Sequence, residues 1–256
     1  MRIVVPLKQV PDLVEELELS SDGTDVDREF LKFVVNEFDD HALEEALLVK
    51  EATGAEVVVV GFDEPDIDQA LYTAIAKGAD RAVKLTGAGE GAIDSHTRAA
   101  ALAAWLAGQD ADLVLTGVQA ADDLDGQLAP LLAARMGLPH ASVVVSVDAK
   151  EGVARVRQEF SGGAGAELEI RLPAVFGVQA ARQPPRYASI TRVRQVMQAG
   201  AIEETAAAVA SGGPALTVRR LYPPEQTGHA EMLEGSPADV ADRIIELVRA
   251  KGLLKT

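Results

Sequence analysis

The sequence predicts an α/β fold with a mostly parallel, doubly wound sheet, an added hairpin, and a C-terminal arm and helix. Three observations predict it. Short β-rich runs alternate with amphipathic stretches of helical period as far as Val147. One run, Val57–Val60, is unbroken and β-branched, as suits a strand covered on both faces. From about Gly152 the pattern becomes residue-by-residue alternation around a glycine-rich centre, the mark of a hairpin.

The elements follow in order. Expected strands are Ile3–Leu7, Glu56–Gly61, Arg81–Leu85, Asp112–Thr116 and Ser142–Val147. Expected helices between them are Asp40–Glu51, Ile67–Ala76, Ser95–Leu106 and Gly126–Met136. In the first helix Ala42, Leu43, Ala46, Leu47 and Val49 form an apolar stripe, while Glu44, Glu45, Lys50 and Glu51 supply the solvated face. Val153–Glu159 and Glu167–Leu172 alternate around Ser161–Ala166, whose glycines tolerate the positive φ of a tight turn. Ala174–Val178 reads as one more strand. Gln183–Tyr187 holds two prolines and reads as an extended loop. Ala199–Gly213 is rich in Ala and Ser, Tyr222–Glu234 is extended, and Asp239–Lys251 is an amphipathic helix introduced by Ser236-Pro237. The expected organisation is one core over residues 1–190, with its hairpin at 152–172, then an arm and helix over 191–256.

Composition excludes several functions. A formal charge of −16 repels a phosphate backbone, so no nucleic acid is expected as a partner. With no cysteine there is no disulfide, thiolate metal site or cysteine nucleophile. The opening apolar run, Ile3–Leu7, is too short for a signal segment, and no run approaches the roughly 20 residues of a membrane span. A cytoplasmic protein without direct membrane insertion is therefore expected. Aromatics are 4% of the chain, so Val, Leu, Ala and Ile must fill the core. His41, His96, His140 and His229 lack metal-binding spacing and read as surface or structural, and no G-x-S-x-G elbow is present.

The strongest local feature runs from Thr116 through Gly117 and Gly126 to Pro130, between an expected strand and helix. In an open parallel sheet ligands bind outside the carboxyl ends of the strands, and a helix start offers free N–H groups to a phosphate. Asp122, Asp123 and Asp125 would repel a phosphate unless they cap the turn or face away, so an acidic βα turn is the competing reading. Asn36 could read an adenine or ribose edge, or merely cap the helix that follows. Gly87–Gly91 reads as a surface loop, and no phosphate-loop motif of the G-x-x-x-x-G-K-[ST] type occurs.

Several stretches together resemble the electron transfer flavoprotein β family. They are Ile3–Asp12, Thr24–Glu29, Asn36–Ala46, Thr73–Arg81, Gly117–Pro130, Leu172–Val175 and Pro185–Ser189, in that order. The resemblance implies a nucleotide α-hydrolase-like sheet with AMP held at the carboxyl ends of the strands. The implied contacts are Pro6, Asn36, Phe62 and the loop Gly117, Val118, Gln119, Ala120, Ala121, Asp122, Asp123, Leu124, Asp125, Gly126, Gln127 and Leu128. It also implies an α subunit that carries most contacts to a redox FAD and receives the C-terminal arm and helix. Acyl-CoA-type or other dehydrogenases would be electron donors, and a quinone-linked oxidoreductase a possible acceptor. Residues 180–190 correspond to the family's recognition loop, with Arg186, Tyr187 and an apolar anchor at Ile190. On this reading the chain is an electron-carrier subunit rather than a stand-alone catalyst. One alternative is a bifurcating member with a second FAD in place of AMP, although Arg98 and Ala99 stand where those members have small hydroxyl residues. The other is a stand-alone adenine-nucleotide module of universal-stress type, whose late glycine-rich run is missing here.

Overall fold

The computed structural model describes residues 1–14, 16–87, 94–123, 126–207, 217–223 and 232–253. The chain divides into two units, Met1–Arg219 and Arg220–Thr256. The first is an α/β unit built on a nine-stranded sheet.

The chain opens with β1 (Arg2–Leu7), a two-stranded antiparallel ribbon of β2 (Gln9–Pro11) and β3 (Phe33–Val35), and α1 (Glu37–Thr53). Then come β4 (Glu56–Phe62), α2 (Ile67–Lys77), β5 (Arg81–Thr86), α3 (Ser95–Leu106), β6 (Leu113–Gly117) and α4 (Leu128–Met136). The unit ends with β7 (His140–Lys150), β8 (Val153–Glu159), β9 (Gly165–Arg171), β10 (Ala174–Val178), α5 (Ile190–Ala199) and β11 (Ile202–Ala206). Sheet order is β11-β5-β4-β1-β6-β10-β7-β8-β9. Pairing is parallel from β11 to β7 and antiparallel through β8 and β9.

Residue alternation along the strands assigns the two faces. Ile3, Val5 and Leu7 pack with α1 and α2, while Val4, Val58, Val60 and Phe62 pack with α3 and α4. Among the described residues, Phe62 and Phe176 are the only aromatics in the set of largest fully buried side chains, so aliphatic residues supply the rest of that core. The glycine-rich turn of the hairpin has Gly162 and Gly163 at φ 77° and 78°, as its composition requires.

Three elements differ from expectation. The ribbon β2–β3 has three-residue strands, too short to show a period. Residues 190–199 form α5, with Val193 and Val196 buried, rather than continuing the loop into an arm. Ser189 starts this helix by accepting a hydrogen bond from the Arg192 N–H at 3.3 Å. Residues 202–206 join the main sheet beside β5, where Arg81–Glu203 (2.7 Å) and Lys84–Glu204 (3.0 Å) pair across the two strands. The Ile-Glu-Glu-Thr-Ala sequence of β11 has no apolar alternation, so its strand identity comes from that neighbour. His140 opens β7, two residues before the expected strand start at Ser142.

The second unit contains α6 (Pro237–Ala250), started by a capping box between Ser236 and Asp239. No helix among the described residues is long and apolar enough to cross a membrane. Most of the Gly87–Gly91 loop, much of Ala199–Gly213 and Tyr222–Glu234, and His229 lie outside the described residues.

Candidate functional site

The chain runs from β1 outward to β4 and β5, then returns to β6 on the other side of β1. Such a reversal leaves a crevice at the carboxyl ends of the strands. Here the register shows how it opens. β1 pairs with β4 as far as Leu7–Gly61, but with β6 only at Ile3–Leu113 and Val4–Val114. Pro6, which has no N–H to offer, sits where β1 and β6 have separated.

One side chain bridges the gap. Asp39, in the first turn of α1, accepts the Lys8 N–H on Oδ2 at 3.0 Å and the Gly117 N–H on Oδ1 at 2.9 Å. Burial pushes the Asp39 carboxyl up to about 7, against the opposing pull of the Gly117 amide, Asn36 and Lys8. Gly117 must be glycine for a packing reason: a Cβ there would stand 2.4 Å from Asp39 Oδ1 and 2.8 Å from Phe38 Cβ. Asn36 is buried and donates from Nδ2 to the Gln119 carbonyl at 2.9 Å, which ties α1 to the loop after β6.

The cleft so formed is lined by Pro6, Leu7, Lys8, Asn36, Asp39, Phe62, Ser95, Arg98, Gly117, Gln119, Ala120, Asp123 and Leu128. Of the residues singled out in the sequence, the strand ends bring together Pro6, Asn36, Phe62, Gly117, Gln119, Ala120, Asp123 and Leu128. Val118, Ala121, Asp122, Gly126 and Gln127 belong to the loop but do not line the cleft; the Val118 N–H donates instead to the Val178 carbonyl. Leu124 and Asp125 lie outside the described residues. Leu7, Lys8, Asp39, Ser95 and Arg98 also line the cleft and carry no site motif in the sequence. The position of Lys8, directly after an apolar first strand, was the available signal.

Two cations face the cleft. Lys8 Nζ lies 2.8 Å from Asp123 Oδ1 and 2.6 Å from the buried Asp122 Oδ1, the latter off the line of a hydrogen bond. Arg98 is 4% exposed, stacks over the Phe62 ring at 4.9 Å, and pairs with Glu64 at 2.6 Å. Asp123 also caps the loop, accepting the Ala120 N–H at 3.1 Å. The free interior is about 20 Å³, about one water molecule, so a larger ligand enters only as these side chains move.

The donor set suits a phosphate group. Lys8 supplies a cation that neutralises Asp122 and Asp123, α4 begins at Leu128 without a side-chain cap from Gln127, and Gly117 brings backbone to the cleft. Phe62 and Pro6 supply apolar wall. The carboxylates of Asp122 and Asp123 do not stand free against a phosphate, because both are turned onto Lys8. No cluster of residues suited to a metal ion is present among the described residues.

The 180–190 segment lies elsewhere, along α1. Tyr187 is 83% exposed and Ile190 62% exposed. Arg186 is not free: its guanidinium binds Glu44 (2.8 Å) and Glu51 (2.6 Å) of α1. A roomier groove of about 310 Å³, between α1, α2 and residues 185–188, includes Leu7, Leu43, Ala70, Lys77 and Tyr187. Its cations are spoken for, Lys77 by Asp40 and Arg186 by Glu44 and Glu51.

The family model described as "Electron transfer flavoprotein domain" matches residues 25–211. The chain belongs to the electron transfer flavoprotein β-subunit family. It is 37% identical to the electron transfer flavoprotein subunit beta of Methylophilus methylotrophus, over 97% of this chain and 98% of that protein. It is 31% identical to the corresponding subunit of Syntrophomonas wolfei subsp. wolfei, over 97% and 96% respectively. The Caffeyl-CoA reductase-Etf complex subunit CarD of Acetobacterium woodii is 30% identical, over 99% of this chain and the whole of that protein. Membership gives the chain an electron-transfer role in association with flavin. It agrees with the mostly parallel α/β sheet observed.

Proposed function

We propose that this chain is the β subunit of a heterodimeric electron carrier whose redox FAD is held mainly by an α subunit, with AMP seated structurally in the cleft between β1 and β6. The convergence of Pro6, Asn36, Phe62, Gly117 and Leu128 on one cleft at the strand ends carries this reading. The first-turn amides of α4, which Gln127 does not cap, would meet the phosphate, while Lys8 stays paired with Asp122 and Asp123 and neutralises them. AMP would supply no redox chemistry there; Pro6, Asn36, Phe62 and Gly117 would hold it. The flavin carries the electrons, and this chain closes over it and presents a docking face. Acyl-CoA-type or other dehydrogenases would reduce the carrier through Tyr187 and Ile190, and a quinone-linked oxidoreductase is the corresponding acceptor. The C-terminal arm and α6 would dock on the α subunit, and a cytoplasmic location belongs to the same proposal.

The test is to co-express the chain with its α subunit, extract the cofactors and count them. One FAD and one AMP per heterodimer are expected. Two FAD molecules and no AMP would replace this reading with the bifurcating one. A nucleotide-bearing monomer that retains no α subunit would replace it with a stand-alone binding module.

A further inference from the structure

Residues 180–187 have no helix or strand of their own, so their backbone N–H groups need partners from elsewhere. Side chains of α1 supply three of them. The Ala181 N–H donates to His41 Nδ1 at 3.2 Å, the Arg182 N–H to Glu45 Oε2 at 3.1 Å, and the Arg186 N–H to Glu44 Oε2 at 2.9 Å. The two acids are adjacent in sequence and deeply buried, Glu44 at 3% exposure and Glu45 at 0%. Each also takes the guanidinium of the arginine whose amide it binds. Arg186 Nε and Nη2 reach Glu44 at 2.9 and 2.8 Å, and Arg182 Nε lies 2.9 Å from Glu45 Oε1. Glu45 Oε1 further accepts the Val147 N–H at 2.6 Å, which fixes the acid to β7.

Burying two carboxylates side by side is costly unless both are paired in good geometry. An apolar helix face would have packed as well and without that cost. What the acids provide is direction: a doubly bonded carboxylate and guanidinium hold one orientation, whereas apolar contact does not. Tyr187 follows Arg186 directly, and Ile190 opens α5 three residues later.

We propose that Glu44 and Glu45 are positioning residues, which through Arg186 and Arg182 fix the orientation in which Tyr187 and Ile190 are offered to an electron-transfer partner. The proposal rests on the reading of residues 180–190 as a docking segment. It assigns Arg182 and Arg186 an internal anchoring role instead of partner contact.

The test uses the complete heterodimer, with a purified acyl-CoA dehydrogenase as reductant, and the variants Glu44→Gln, Arg186→Met and the two combined. Amide hydrogen exchange over 181–187 reads the anchoring, and KM for the carrier reads the docking. Glu44→Gln is expected to speed exchange of the Arg186 amide about tenfold. It should raise KM about fivefold with kcat little changed, as expected when only binding geometry is lost. FAD and AMP content should stay at the wild-type level. The combined variant should be no worse than either single one, because both act through the same Glu44–Arg186 pair. It also leaves no unpaired buried charge, so it is read in the same way if a single variant fails to assemble. Exchange and KM both unchanged in Glu44→Gln would overturn the proposal. So would fast exchange with unchanged KM in a system where Ile190→Ala does raise KM. If Ile190→Ala itself leaves KM unchanged, the docking reading falls and takes the functional half of the proposal with it.

Discussion

Asp39 replaces a missing stretch of sheet. Where β1 and β6 part, its carboxylate takes an amide from each, and it does so while buried. The folded protein therefore holds the Asp39 proton up to about pH 7, while the unfolded chain releases it near 3.8. Folding takes up a proton between those values, so stability from this group is full below the lower value and is lost as pH rises through the window. Urea unfolding at pH 5 and pH 8 should show a larger loss in the wild-type protein than in Asp39→Asn. Equal losses would place the titration elsewhere, Glu45 being the next group whose burial raises its pKa. The neighbouring glycine gives a steric test. Gly117→Ala pushes a methyl group into Asp39 and Phe38 and should cost about 1–3 kcal/mol, with reduced AMP retention after purification. Unchanged stability and AMP content would show that the clasp yields at no cost.

At the scale of elements, periodicity located most of what is observed. α3 and β10 run over the residues expected, Ser95–Leu106 and Ala174–Val178. Other elements begin or end a few residues away, such as α4 at Leu128 instead of Gly126. The apolar stripe of α3 has a measurable consequence: Leu102 is fully buried against the second sheet face, so Leu102→Ala should cost about 2–5 kcal/mol in denaturant unfolding. A loss below about 1 kcal/mol would mean that α3 packs more loosely than its burial indicates. α1 shows where a periodic reading stops. Glu44 and Glu45 look like solvated charges in the sequence, yet both are buried because Arg186 and Arg182 return to them from far along the chain. Burial alone would push the Glu44 carboxyl up; the Arg186 hydrogen bonds outweigh it and leave Glu44 below its ordinary value.

Across the whole molecule, α1 contacts both the cleft and the exposed 180–190 segment. Its N-terminal end holds the cleft through Asn36 and Asp39, and Glu44, Glu45 and Glu51 anchor the exposed segment. The division of the chain after Arg219 supports a further test. A chain ending there should keep its unfolding midpoint within about 2 °C, since the nine-stranded sheet is complete without the rest. It should lose retention of the α subunit on a size-exclusion column if the arm and α6 dock there. Full retention would assign the heterodimer contact to the first unit alone.

The sequence by itself determined the doubly wound sheet, the hairpin, the glycines of the loop after β6 and the family. Each of these is written in nearest-neighbour terms: hydrophobic period, turn chemistry and ordered motifs. Tertiary structure alone decided that Lys8, Asp39 and Arg98 share a cleft, that β11 belongs to the sheet, and that Arg186 faces inward. Those outcomes depend on partners between 31 and 142 residues apart in sequence, as with Lys8 and Asp39 or Glu44 and Arg186. No local pattern records such a pairing, because a charged side chain looks the same in sequence whether water or a distant carboxylate will satisfy it.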